Sequence, residues 1–268
     1  MSAHDQAIID AALRTHFDLF LMRCFQTLNP GATYLPGPHI KAIAHQLERI
    51  RSGECVRLII NMPPRYLKSI TASVAFPAFF LGHDPGRRIF GISYGGDLSS
   101  KHASDFQSIV HAPWYRRLFP LMQISRSADN DVFTTQHGFR RSLSVNGAIT
   151  GFGGDCFIID DPRKPVDAQS ETLRNNTNNW FSNTLLSRLD NKQTGSIIVV
   201  MQRVHLDDLT GYLTEHSDEW TVLSLPAIAE VAERISIGGG RFFDRGPGEA
   251  LHPAYESVEV LKRLQGTP

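Results

Sequence analysis

The stretch Arg57-Leu58-Ile59-Ile60-Asn61-Met62-Pro63-Pro64-Arg65-Tyr66-Leu67-Lys68-Ser69-Ile70, continuing through an Ala-, Thr- and Val-bearing segment to Leu81, decides the fold. Leu58 to Ile60 make the short apolar run of a strand buried on both faces, and a Pro-bearing turn follows. Lys68-Ser69 then opens a segment that can run as a helix. Strand, tight loop, Lys-Ser and helix are the layout of a phosphate-binding loop. There the amides and helix N-terminus face the anion, the ammonium reaches the outer phosphates and the hydroxyl ligates Mg²⁺. On this reading Pro64, Arg65, Tyr66, Leu67, Lys68, Ser69 and Ile70 form the nucleotide cradle. The strict pattern G-x-x-x-x-G-K-[ST] is not met, because Met62 stands at its first glycine and Leu67 at its second. If the second position needs a positive φ, Leu67 carries roughly 1–2 kcal/mol of strain. A Lys-Ser pair also opens ordinary helices, so the rest of the chain has to decide.

The 268 residues, 41% of them hydrophobic, are enough for one large α/β domain with small attachments. Lys plus Arg equals Asp plus Glu at 27 each, which excludes a global pull toward nucleic acid or anionic lipid and leaves only local contacts. Cys24, Cys55 and Cys156 lie far apart without C-x-x-C spacing. That argues against a zinc ribbon or a disulfide framework and suits a reducing cytoplasm. The N-terminus lacks the basic head and apolar run of a signal peptide, and the most apolar run, Val74 to Leu81, is short and contains Pro77. No membrane span is expected.

Residues 7–26 space their apolar side chains as one amphipathic helix, ended by Asn29-Pro30-Gly31. A second helix opens after Pro38 and stops at Ser52-Gly53. It carries His39 and Gln46, either packing residues or groups that approach an adenine. Arg88 to Ser93 reads as a second buried strand, and residues 97–110 as a helix. Two alternating runs, Val132 to Thr135 and Phe139 to Val145, flank His137-Gly138 as a hairpin. Arg140 and Arg141 in the second run point to opposite faces, so at most one of them is functional.

Glycines between Gly147 and Gly154 precede a strand, Phe157-Ile158-Ile159, that ends in Asp160-Asp161-Pro162. Carboxylates at the C-terminal edge of a parallel strand sit where α/β sheets bind ligands. A nucleotide hydrolase needs one carboxylate to hold hydrated Mg²⁺ and one to orient the attacking water; Asp160 suits the first task and Asp161 the second. An Asp-Asp-Pro sequence is also an ordinary turn. The strand Gly195 to Met201 ends in Gln202-Arg203. In phosphate-loop ATPases of the additional-strand group such a strand lies between the loop strand and the acidic strand, which would aim Gln202 at the γ-phosphate as a sensor. The expected fold is therefore α/β, a mostly parallel twisted sheet flanked by helices.

Met62-Pro63-Pro64-Arg65-Tyr66-Leu67-Lys68-Ser69 resembles the M-P-P-R-x-G-K-S loop of the large terminase subunits of tailed double-stranded DNA bacteriophages, the ATPases that pump DNA into procapsids. The resemblance continues through Ile92-Ser93-Tyr94, Trp114-Tyr115, Phe119-Pro120, Thr150-Gly151 and Ile158-Ile159-Asp160-Asp161-Pro162. Gln202-Arg203-Val204-His205-Leu206-Asp207-Asp208-Leu209-Thr210-Gly211 is similar to that family's T-R-W-H-x-D-D-L-x-G coupling segment. Leu225 to Glu230 and Pro247 to Pro253 match its linker. The similarity covers most of the chain from about Pro38 onward.

The resemblance implies ATP and Mg²⁺ as cofactors, with Lys68, Arg65 and Asp161 catalytic, Ser69 and Asp160 on the metal, and Gln202 and Arg203 as coupling residues. It implies double-stranded DNA, the portal protein and the small terminase subunit as partners, assembly as a homo-oligomeric ring, and a location in the cytoplasm of a bacterial host. The expected division is a helical region over 1–53, an ATPase core over 54–225 and a linker over 226–268. The linker would lead toward an RNase H-like nuclease whose acidic set is absent, so no DNA cleavage is expected from this chain.

Three departures stand out: Leu67 for the loop glycine, Phe152 where relatives often show Arg, and Met201-Gln202 for small or hydroxyl residues. Losing the Arg leaves Arg65 in cis, and after it Arg140, Arg141 or Arg203, as arginine-finger options. DNA phosphates would be met by scattered residues such as Lys101, Arg116 and Arg117. The alternatives are a degenerate scaffold that binds DNA or portal without turnover, for which Leu67 is the best argument, and a helicase-type translocase. The latter is disfavoured because 268 residues do not hold two tandem motor domains.

Overall fold

The structure, a computed structural model, describes residues 2–145, 147 and 151–265. Thr150 of the Thr-Gly motif lies outside the described residues. Three helices come first: α1 (Ala3–Thr15), α2 (Phe17–Leu28) and α3 (Pro38–Ser52). The single helix expected over 7–26 is thus two, broken at His16, which is extended at φ −113° and ψ 109°. The break has a packing cause. α1 buries only Leu13, whereas α2 turns Phe17, Phe20, Leu21 and Cys24 inward, and Phe17 and Phe20 meet the rings of Phe79 and, respectively, Phe76 and Trp114. α3 starts on Pro38 and stops at Gly53, whose φ of 79° is the left-handed cap that a glycine adopts without penalty.

Next come β1 (Arg57–Asn61), the phosphate-loop candidate, a helical stretch comprising a π turn (Ile70–Ala75) and α4 (Phe76–His83), then β2 (Arg88–Ser93), α5 (Gly96–Val110) and α6 (Pro113–Leu118). β3 (Ile124–Ala128), β4 (Asp131–Thr134) and β5 (Phe139–Ser144) precede β6 (Cys156–Asp160), α7 (Glu171–Trp180), β7 (Ser196–Met201), α8 (Leu209–His216) and β8 (Thr221–Ser224). The eight strands form one sheet in the order β3-β4-β5-β2-β6-β7-β1-β8. Its centre is parallel, and β3 and β4 run antiparallel at one edge. β4 and β5 are the hairpin foreseen around His137-Gly138; β3, mostly exposed and without apolar alternation, carries no sequence signal.

Side chains alternate across the central strands, and each face feeds its own core. Leu58, Ile60, Ile89, Cys156, Ile158, Ile198 and Val200 pack under the first helices with Phe20, Phe76 and Tyr115. Ile59, Phe90, Phe157, Ile159, Ile197 and Val199 pack on the other face with Phe181, Leu185, Leu209 and Leu213. Burial on both faces is why these strands read as unbroken apolar runs. β7 lies between β1 and β6, as the additional-strand arrangement requires. After β8 the chain makes a two-stranded ribbon, β9 (Glu233–Ser236) with β10 (Phe242–Arg245), and the last described element is α9 (Val258–Gln265). All three cysteines are free and buried, and no helix among the described residues is long and apolar enough to cross a membrane.

Candidate functional site

β1 delivers the chain to the C-terminal edge of the sheet, and the loop closes from Met62 to Leu67. Arg65 and Leu67 both take positive φ, 70° and 63°. Each costs roughly 1–2 kcal/mol relative to the usual backbone regions. The left-handed turn that a glycine makes in the strict motif is therefore made here by Leu67 under strain. Helical geometry resumes at Lys68, and Thr71 N–H and Oγ1 both bond the Leu67 carbonyl to start it.

Ser69, just before the π turn, and Ser73, within it, aim their hydroxyls at one carboxylate. Ser69 Oγ donates to Asp160 Oδ1 at 3.1 Å and Ser73 Oγ donates to Asp160 Oδ2 at 2.8 Å. Lys68 Nζ lies 3.0 Å from Asp161 Oδ1, with Lys68 only 5% exposed. The residues 68–69 and 160–161, some ninety positions apart in sequence, thus meet across the edge of β1, β7 and β6. Asp161 sits at φ 43°, its N–H bonded to the Val200 carbonyl, and its carboxylate also accepts the Gln202 N–H at 3.3 Å.

Asp160 is fully buried. Burial, with Asp161 beside it, pushes its carboxyl up to about 7, against the pull of Ser73, Lys68 and Ser69. Two acids facing one lysine leave the pocket short of positive charge, which is the environment a divalent cation satisfies. Among the described residues no group of three or more His, Cys, Asp and Glu forms a closed metal cage. Mg²⁺ does not need one: it keeps several waters and takes one or two carboxylates plus phosphate oxygens. Ser69 and Asp160 fit that donor set.

Arg65 is exposed at the loop tip. Gln202 stands between two cavities, one beside Asp161 and Arg174 and one of about 460 Å³ beside Met62, Pro63 and Pro64. Arg203 is engaged: its Nε donates to Asp208 Oδ2 at 2.9 Å and its Nη2 to the Leu206 carbonyl at 3.0 Å. Asp208 in turn caps α8 by accepting the Gly211 N–H, and Thr210 Oγ1 donates to Asn61 Oδ1 at the end of β1. A Cβ on Gly211 would fall 1.8 Å from the Leu206 carbonyl oxygen, so this turn admits only glycine.

Four sequence expectations are placed elsewhere. His39 is buried and packs edge-on to the Tyr66 ring, its imidazole pushed down to about 3 by burial and by His252. Gln46 accepts a bond from Arg49. Neither lines the cavity beside Met62, Pro63 and Pro64. Arg140 is 1% exposed, donating to Ser142 and to the Ser73 carbonyl, under a glycine: a Cβ on Gly91 would lie 2.9 Å from its Nη2. A guanidinium so enclosed is no finger for a neighbour's nucleotide. Arg141 points the other way, as alternation requires, but is paired with Asp131 and lies over the Phe152 ring. Lys101 and Arg117 are likewise paired, with Asp105 and Asp10.

Sequence reasoning missed Ser73, and the signal was available: it lies four residues after Ser69, on the same helical face. It also missed His102 of α5, whose Nε2 is 3.8 Å from Asp160 Oδ2, and Arg174, buried beside Asp161 with its Nη1 on the Ala168 carbonyl. Neither stands in any motif.

The phosphate-loop candidate lies between β1 and the helical stretch that follows, and β7, later in the chain than the acidic strand β6, is inserted between β6 and β1, the strand order expected of an additional-strand phosphate-loop fold. No protein-family model matches the chain, and no curated relative does. Among solved structures it is similar to the large terminase of bacteriophage HK97, at 14% identity and a TM-score of 0.46, over 80% of this chain and 46% of that one. It is similar too to the large terminase of a thermophilic bacteriophage in complex with ADP, at 10% identity and a TM-score of 0.44, over 82% of this chain and 48% of that one. The chain therefore spans just under half the length of both.

Proposed function

We propose that this chain is the ATPase part of a DNA-packaging motor of the large-terminase kind, hydrolysing ATP to drive double-stranded DNA into a procapsid. The observation that carries the hydrolytic half is the meeting of Lys68 and Ser69 with Asp161 and Asp160 at one sheet edge. The DNA half rests on the motif resemblance, from the loop through the coupling segment.

The geometry supports the following roles. Loop amides and Lys68 hold the phosphates, and Lys68 leaves Asp161 for the γ-phosphate when nucleotide enters. Ser69 and Asp160 would hold Mg²⁺, which neutralises developing charge on the phosphates. Asp161, a quarter exposed, then orients the attacking water, while Arg65 at the loop tip steadies the γ-phosphate. The Gln202 N–H on the Asp161 carboxylate, followed by Arg203 on the cap of α8, gives a bonded route from the site of cleavage to α8. Motion of that helix is the output to whatever grips DNA, and the portal protein and small terminase subunit are the partners the motor would need.

Phosphate release from Mg²⁺-ATP, measured with and without linear double-stranded DNA, tests the reading. Turnover that disappears in Lys68→Ala supports it. A wild-type chain that binds DNA but releases no phosphate overturns it in favour of the degenerate scaffold, for which the strained Leu67 remains the motivating observation.

A further inference from the structure

We propose that Tyr66 and Glu256 form a tie that holds the phosphate loop in its nucleotide-accepting shape, making Glu256 a positioning residue supplied from beyond the sheet. The inference rests on the ATPase reading above.

Two non-glycine residues with positive φ, Arg65 and Leu67, bracket a single residue that is 2% exposed, Tyr66. Strained backbone persists only where its surroundings over-determine it, so something must hold this loop from outside. Among the described residues the loop's backbone–backbone bonds to the rest of the fold lie at its two ends, Met62 N–H on the Met201 carbonyl and Thr71 N–H on the Leu67 carbonyl, so the middle of the loop is held by side chains.

Tyr66 is that hold. Its hydroxyl donates to Glu256 Oε2 at 2.7 Å, a bond to a charged acceptor and so among the stronger kind. Burial and the Glu256 charge raise the phenol's pKa, which keeps it a donor across the working pH range. The ring is wedged on two sides, edge-on to Tyr255 at 5.6 Å and to His39 of α3 at 5.7 Å. His252 completes the nest against His39 and Tyr255, and its carbonyl accepts the N–H groups of both Tyr255 and Glu256, fixing the turn that presents the carboxylate.

The geometry has a functional consequence. Residues 252–256 belong to the stretch that the motif resemblance reads as a linker, so the segment leading out of the ATPase core touches the loop that holds the phosphates. Displacing that segment withdraws Glu256, frees Tyr66 and relaxes Arg65 and Leu67 toward unstrained backbone. The nucleotide cradle is thereby made conditional on the position of the chain's C-terminal segment.

The test uses the full chain with Tyr66→Phe, Glu256→Ala and the double variant. Affinity for a fluorescent ATP analogue with Mg²⁺ and the kinetics of phosphate release are read alongside hydrogen exchange of the loop amides without nucleotide. Each single variant is expected to bind roughly tenfold more weakly, the size of a lost hydrogen bond to a charged group, and to raise KM with kcat held. The double variant is expected to be no worse than the weaker single, and residues 65–69 to exchange faster in all three. Variants that bind as the wild type does, a double variant whose loss equals the product of the singles, or faster exchange with unchanged affinity each overturn the tie. A wild type that binds no nucleotide overturns the ATPase reading and the tie with it.

Discussion

Asp160→Asn should give an inactive site in a more stable protein. The wild-type carboxyl is fully buried and pushed up to about 7 from the ordinary 3.8, by burial first and by Asp161 second. Between those values the folded chain keeps a proton that the unfolded chain has lost. Folding stability contributed by this group therefore falls as pH rises through the window, and the penalty is complete above about pH 7. At about 1.4 kcal/mol per pH unit the gap corresponds to roughly 4 kcal/mol. Asparagine keeps the shape and one acceptor for Ser69 or Ser73 but carries no charge. It removes that penalty, which is already net of the hydrogen bonds from Ser73 and Ser69. Asp160→Asn should therefore be the more stable chain at pH 8, by up to roughly the same few kcal/mol, which is several degrees in Tm for a chain of this size. Urea unfolding at pH 5 and pH 8, with EDTA and without nucleotide, reads it. The wild type should lose ground relative to Asp160→Asn as pH rises, and Mg²⁺ with ATP should restore it. A variant less stable than wild type at pH 8, or one whose difference from wild type does not change between the two pH values, would refute the reasoning.

Lys68→Ala is expected to lower turnover at least about a thousandfold, the scale of removing a preorganised charge from a phosphoryl-transfer site, in a phosphate-release assay. Asp161→Asn should retain binding of the ATP analogue and slow hydrolysis; equal loss of both would make Asp161 a structural residue. Ser73→Ala removes a 2.8 Å hydrogen bond to a buried carboxylate and should cost roughly 1.5–3 kcal/mol by denaturant unfolding at pH 8. His39, held neutral with its imidazole at about 3, contributes stability that is complete above about pH 6.5 and is lost as pH falls toward 3; His39→Gln should flatten the acid limb of the stability profile over that span. Gly91→Ala should destabilise by more than about 1 kcal/mol in thermal unfolding, because its Cβ meets the enclosed Arg140 guanidinium.

The parallel core was legible because its physics is local to each strand. Leu58 to Ile60, Phe157 to Ile159 and Ile197 to Val200 are buried on both faces, and double burial writes itself as an unbroken apolar run. The position of β7 between β1 and β6 was legible only by analogy with the additional-strand phosphate-loop ATPases, since no run of residues encodes which strand is its neighbour. β3 was invisible, because an exposed edge strand needs no apolar alternation. The same distinction separates the site residues. Lys68, Ser69, Asp160 and Asp161 carry a chemistry that needs those residue types in that order, whereas Ser73 and Glu256 are defined by what lies across from them in space. Arg140 shows the limit most clearly. Alternation correctly set it opposite Arg141, yet it could not say that Gly91 on the neighbouring strand leaves the space that draws the guanidinium inward toward the Ser73 carbonyl. A residue that looked like a finger for another subunit is instead part of the support behind Ser73, and through Ser73 behind Asp160. An Arg140→Lys chain, which keeps the charge but loses the fork that reaches both Ser142 and Ser73, should therefore weaken Mg²⁺-dependent nucleotide binding in isolated monomers. A trans-acting finger would instead lose activity only on assembly, so an effect confined to the assembled state would return Arg140 to that role.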